Sequence, residues 1–208
     1  MSGAPDPDVV VREPPRGLAR WLGRLRRVAR YALHQLLWRG RFGAFGWRST
    51  LRAPAMLTAT RRVFVGSGVE IRRGARLETV GPDARLEIGD DTSIHLFFHA
   101  GAAREVRIGR RVLIAGHVYV SDHDHDPPTP GHPPASGRLR VEPVVIEDEC
   151  WLGEGCRILK GVHLGRGCTV GANAVVTKSF PPYSIVAGVP ARLIRRADEG
   201  GGPADASG

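Results

Sequence analysis

Apolar residues return at every sixth position through the second half of the chain: Ile146, Leu152, Ile158, Leu164, Val170 and Val176. Four places after each of the first five stands a small or aliphatic companion, Cys150, Cys156, Val162, Cys168 and Ala174. Side chains four apart in a strand share a face, so each hexad predicts a short strand that points two side chains inward and cannot bury them alone. Stacking the rungs buries them, and Gly153, Gly155, Gly161, Gly165, Gly167 and Gly171 between the strands predict tight corners. The pattern predicts a coil of parallel strands.

Weaker copies start at Val65, Ile71, Ile88, Ile108 and Ile114, which extends the predicted coil over residues 63–196. Phase breaks between Leu77 and Ile88 and between Ile94 and Ile108 predict bulges or short loops. The step from Val120 to Ile146 is twenty residues longer than one repeat and predicts a protruding loop at 121–143. Cys150, Cys156 and Cys168 occupy the small inward position and read as buried fillers, neither a disulfide nor a metal set. No CxxC and no signal-peptide pattern are present, which predicts a cytoplasmic protein.

Upstream the spacing changes. Leu18, Trp21, Leu22, Leu25, Val28, Ala29, Ala32, Leu33, Leu36 and Leu37 recur at helical intervals, with Arg16, Arg20, Arg24, Arg26, Arg27 and Arg30 among them. Residues 17–38 therefore predict one amphipathic helix within a helical and extended preface at 15–62. Its stripe has two expected uses: packing as a cap on the coil or a neighbouring subunit, which we favour, or lying peripherally on the inner membrane face. No apolar run approaches the ~20 residues that span a bilayer. Residues 1–14 and 197–208, rich in Pro, Gly, Asp and Ala, are expected to be disordered. The net charge of +9 is accompanied by no nucleic-acid recognition motif, and 42% hydrophobic residues support one globular core.

The long loop holds the chemistry, running Asp122-His123-Asp124-His125-Asp126 and on to His132. Imidazole titrates near neutrality, so a histidine beside carboxylates is a candidate general base.

Ile108-Gly-Arg-Arg-Val-Leu-Ile-Ala, Asp122-His-Asp-His125, Pro143 through Gly153, Val170 through Lys178 and Pro181 through Arg195, taken in this order, resemble the hexapeptide-repeat acyltransferases. The likeness is to their maltose and galactoside O-acetyltransferase-like branch. It implies an all-β fold, a left-handed parallel β-helix, here preceded by the amphipathic helix. The handedness rests on the resemblance, since crossover connections are otherwise right-handed in ~98% of cases. It further implies a homotrimer with sites between subunits, and O-acetyl transfer from acetyl-CoA as co-substrate to a carbohydrate or polysaccharide precursor.

An ungapped count from Gly109 places the family's catalytic histidine on His125, with His123 in reserve and Asp122 or Asp124 orienting the ring. The same likeness assigns acetyl-CoA contacts to Glu154, Ala172, Thr177, Lys178, Arg192 and Arg195. On the acceptor side a family asparagine becomes His95 and an aspartate becomes Ala103, which argues against maltose or galactosides and leaves another hydroxylated glycan. Two rivals remain at this point. One is a zinc hydratase resembling γ-class carbonic anhydrases, for which His117 and His123 stand six apart. The other is a non-catalytic scaffold or glycan-binding module.

Overall fold

Inward aliphatics stack as the period of six requires. In the computed structural model, which describes residues 18–128, 130 and 138–197, three parallel sheets form the sides of a prism. The first sheet runs from Ala44–Phe45 through Val63–Val65, Arg85–Ile88, Glu105–Ile108 and Val144–Ile146 to His163–Leu164. The second runs from Thr50–Leu51 through Glu70–Ile71, Ser93–Ile94, Leu113–Ile114, Trp151–Leu152 and Thr169–Val170 to Ser184–Gly188. The third runs from Met56–Thr58 through Arg76–Thr79, His99–Ala102, Tyr119–Ser121 and Arg157–Ile158 to Val175–Val176. Each circuit visits the sheets in that order, and the result is a parallel β-helix. A final strand, Ala191–Arg196, turns back antiparallel on Ser184–Gly188 and ends the stack.

The core is the column inside the prism. Ile71, Leu77, Ile94, Ile108, Ile114, Ile146, Leu152 and Ile158 are all fully buried, each contributing about 1.5–3 kcal/mol by leaving water. The three cysteines are buried and free, as fillers should be. The Cys150 thiol donates to the Gly165 carbonyl at 3.3 Å, and burial pushes the Cys156 pKa up to about 12. Corners need backbone room: a Cβ on Gly153 would stand 2.7 Å from the Ala172 amide nitrogen of the next circuit.

The coil begins one circuit earlier than residue 63. Ala44–Phe45 already pairs with Phe64–Val65, and Met56–Thr58 pairs with Arg76–Glu78. Phe45, Leu51, Leu57 and Val63 do continue the period of six, but the first corner is turned by Arg48 at φ 64° and carries no glycine there. Aromatic rings close this end of the column. Phe42 packs on Phe45 at 5.5 Å between centroids, and Trp38 meets Phe42 edge-on at 5.9 Å.

The predicted helix is present as Leu18–Trp38. Its last turns hold the coil: Gln35 Nε2 donates to the Gly46 carbonyl at 2.6 Å, and His34 Nδ1 accepts from the Leu51 amide at 3.2 Å. Capping is thus done by the helix end and its aromatic neighbours, while residues 21–30 are exposed to solvent.

The long loop is a protruding arm. After Ser121 the chain leaves the third sheet, forms an antiparallel ribbon of His123–His125 with Leu139–Val141, and rejoins the first sheet at Val144. The Glu142 amide donates to the Asp122 carbonyl at 2.9 Å where the arm closes. His132, residues 1–14 and residues 198–208 of the expected disordered tail lie outside the described residues.

Candidate active site

Asp122 is the first residue of the arm and is fully buried. A buried carboxylate requires donors on every lone pair it uses. Here the amides of Ala103, Arg104 and Glu105 supply them at 2.7, 2.7 and 2.8 Å, from the bend that joins the third sheet to the first. The remaining partner is His123, whose Nδ1 lies 2.8 Å from Asp122 Oδ1. Burial pulls the Asp122 pKa upward, but the bonds from His123 and the three amides outweigh it and hold the group below the usual carboxylate range.

Facing an ionised carboxylate, His123 Nδ1 carries the proton and donates, which leaves the Nε2 lone pair as the acceptor. Ser121 adds a second restraint: its Oγ donates to the His123 carbonyl at 2.9 Å and receives the His123 amide at 3.2 Å. The ring also needs a flat floor. A Cβ on Gly101 would approach His123 Cε1 to 3.3 Å and His99 Nε2 to 4.0 Å, so the two imidazoles flank one open patch of backbone.

His99 and Glu78 were not among the expected site residues. Strand register brings them in: Glu78, Gly101 and Ser121 form one column across the third sheet, and Arg76, His99 and Tyr119 the next. His99 Nε2 lies 3.1 Å from Glu78 Oε1, and its ring stands edge-on to Tyr119 at 5.0 Å. Burial lowers the His99 pKa, and the opposing pull of Glu78 does not restore it. Glu78 is also bound by Arg76 Nε at 2.9 Å, which divides its charge.

The other expected residues separate. His125 is on the same ribbon strand but exposed. Asp124 orients no ring; it pairs with Lys160 Nζ at 3.2 Å and ties the arm to the next circuit. His95 follows a strand of the second sheet, and among the described residues no hydrogen bond or ion pair joins it to the cluster. His117 stacks on Phe97 with ring centroids 5.0 Å apart on the corner between the second and third sheets, and among the described residues no group of three His, Cys, Asp or Glu could hold a metal ion.

Among the expected cofactor contacts, Glu154 uses Oε2 to accept the Gly116 amide at 2.9 Å and so stabilises a corner. Ala172 lies on that same corner, exposed. Thr177 and Lys178 are exposed on the corner that follows the third sheet, the one from which the arm emerges. Arg192 and Arg195 lie on the closing strand, paired with Ala187 and Ile185.

The profile described as "Hexapeptide repeat of succinyl-transferase" matches residues 143–178. The chain is 33% identical over 153 residues to WbbJ of Escherichia coli (strain K12), to which a lipopolysaccharide biosynthesis O-acetyl transferase role is ascribed, covering 70% of this chain and 78% of that one. It is 31% identical over 150 residues to Rv3034c of Mycobacterium tuberculosis, named for acetyltransferase activity, but there it spans only 49% of the relative. Among solved structures, the hexapeptide-repeat acetyltransferase VCA0836 from Vibrio cholerae, complexed with acetyl-CoA, aligns with TM-score 0.54 and 25% identity over 85% of both chains. The Bacillus cereus N-acyltransferase AntD shares the fold with TM-score 0.64 at 19% identity, over 78% of this chain and 88% of that one. With one relative matched over most of its length, and with the coil, corners and arm all in register, the chain belongs to the hexapeptide-repeat acyltransferases.

Proposed function

We propose that the protein transfers an acetyl group from acetyl-CoA to a hydroxyl of a carbohydrate or polysaccharide precursor, with His123 as general base. The observation that carries this is the Asp122–His123 pair: a buried carboxylate held by three amides, 2.8 Å from the imidazole Nδ1. His123 Nε2 takes the hydroxyl proton as the oxygen attacks the thioester carbon, and Asp122 stabilises the imidazolium that forms. Collapse of the tetrahedral intermediate breaks the C–S bond, and the imidazolium returns the proton to the departing CoA sulfur. His99, kept neutral by its burial, faces the same backbone patch and offers a hydrogen bond to the acceptor.

His125 ranks behind His123 because it lacks this carboxylate. Acetyl-CoA as donor is supported by the Vibrio cholerae structure in complex with it, and the carbohydrate acceptor by the Escherichia coli relative. Ala172 and the pair Thr177–Lys178 lie on different corners of one chain, so a CoA that touches both sets bridges two copies. A homotrimer with inter-subunit sites satisfies this. Arg192, Arg195 and Lys178 supply positive charge for its phosphates.

The test is acetyl transfer to candidate glycans followed by mass spectrometry. His123→Ala lowers transfer by ~10²-fold or more, the scale of lost general-base assistance, with acetyl-CoA binding retained; His125→Ala does less. The reverse ranking overturns the assignment. Glycan binding with no transfer by the intact protein overturns the enzymatic reading.

A further inference from the structure

The helix Leu18–Trp38 presents its apolar side away from the body it is attached to. His34, Gln35 and Trp38 touch the coil, and at 100° per residue His34 and Trp38 project from the side roughly opposite Leu22, Leu25 and Leu36. The outward stripe stays open from Trp21 to Leu36: Trp21 is 60% and Leu36 83% exposed, with Leu22, Leu25, Val28 and Leu33 between them also exposed. Such a stripe at helical spacing is an interaction surface.

Charge selects the occupant. The helix contains no Asp or Glu, and among the described residues no carboxylate pairs with Arg24, Arg26 or Arg27. Arg26 borders one edge of the stripe and Arg24 the other, with Trp21 beside Arg24 on the helix wheel. If stripes of two copies packed together, these arginines would line both margins and face one another. An anionic lipid surface meets the same pattern favourably: the leucines and Trp21 enter the acyl boundary while arginines on both margins reach phosphate groups. The helix is not long and apolar enough to cross a membrane, so it lies in the interface.

We propose that this helix docks the protein on anionic phospholipid bilayers through the Trp21–Leu36 stripe. The proposal stands apart from the catalytic reading, because it is read by binding without turnover. The full chain is sedimented with vesicles of phosphatidylcholine alone or mixed with phosphatidylglycerol. Binding to the mixed vesicles is expected, roughly tenfold weaker to phosphatidylcholine alone, and weakening with added salt. Leu25→Asp combined with Leu33→Asp abolishes it. Arg24→Glu combined with Arg26→Glu, which leaves the stripe intact, lowers it by ~10-fold or more. Both variants keep the helical circular dichroism signal and the particle mass of the parent. Failure of the intact chain to bind the mixed vesicles overturns the proposal. So does a change of particle mass in the Leu25/Leu33 variant, which would make the stripe a contact between copies.

Discussion

The coil from Val144 to Val176 and the arm from Asp122 to Glu142 are neighbours built on opposite terms. In the coil, every circuit repeats the same burial: Ile146, Leu152, Ile158, Leu164, Val170 and Val176 each sit above an equivalent residue. Order there comes from many similar contacts that only have to be apolar and of suitable size. The arm is a two-stranded ribbon, a form that is marginal alone in water. It is held by single polar ties: Asp122 to three amides, Asp124 to Lys160, and Arg140 Nε to Asp126 Oδ1 at 2.6 Å. Redundant burial gives a stiff support, whereas unique hydrogen bonds give one side chain one position. The proposed base, His123, sits where the two meet.

The sharpest way to break the comparison is to put a charge into the redundant part. Ile158→Asp strands a carboxylate in the column with no donor, a cost of several kcal/mol. It should abolish cooperative folding, seen as loss of the thermal transition by circular dichroism. A folded, active variant would mean that the column tolerates far more than its burial implies.

Next comes the tie that makes the arm specific. Asp122→Asn keeps the size of the side chain but removes the charge that fixes the His123 tautomer. A fall in kcat of ~10²-fold or more is expected with KM for acetyl-CoA little changed, since the loss concerns the proton transfer. Equal losses in folding and rate would assign Asp122 a purely structural role.

Lys160→Ala cuts the half-exposed Asp124 tie. Exposed pairs contribute ~0–1 kcal/mol, so the melting temperature should stay within the measurement scatter while transfer drops a few-fold. A large melting shift would show the arm to be integral to the coil.

Acid should act on the arm root before the column. Asp122 has its folded pKa below the ordinary 3.8, so its contribution is present above that value and is lost as pH falls through the folded one. His99 is lowered from 6.5. The folded state therefore disfavours its protonation, and stability declines as pH drops below about 6.5. His99→Gln should flatten the melting-temperature profile between neutral pH and about pH 5, and an unchanged slope would remove His99 from the account. This is the smallest of the four effects.

Much of the coil was legible from residue spacing because burial at period six is local information. The inward set from Ile146 to Val176, the filler cysteines and the protruding arm follow from it, and the helix from its own spacing. The first circuit was missed although Phe45, Leu51 and Leu57 keep the period, because aromatic core residues and an Arg48 corner replace the aliphatic and glycine pattern. The candidate site was legible as a composition, Asp and His on one loop, but which histidine faces a buried carboxylate was not. An ungapped count measures distance along the chain, whereas the histidine we propose as base is the one next to the exit from the third sheet, beside the buried Asp122. His99 and Glu78 could be found only from strand register, which the phase break after Leu77 hides.

Val106, Arg107 and Ile108 pair directly with Val144, Val145 and Ile146, as if no arm intervened. The stack is thus continuous across the departure point, and the arm is an insertion whose length the scaffold does not sense. Lengthening a surface loop costs only about 0.6 kcal/mol per doubling. The segment beyond His125 can therefore be recut or exchanged to suit a larger or smaller acceptor, while Asp122, His123 and the column beneath them stay where they are.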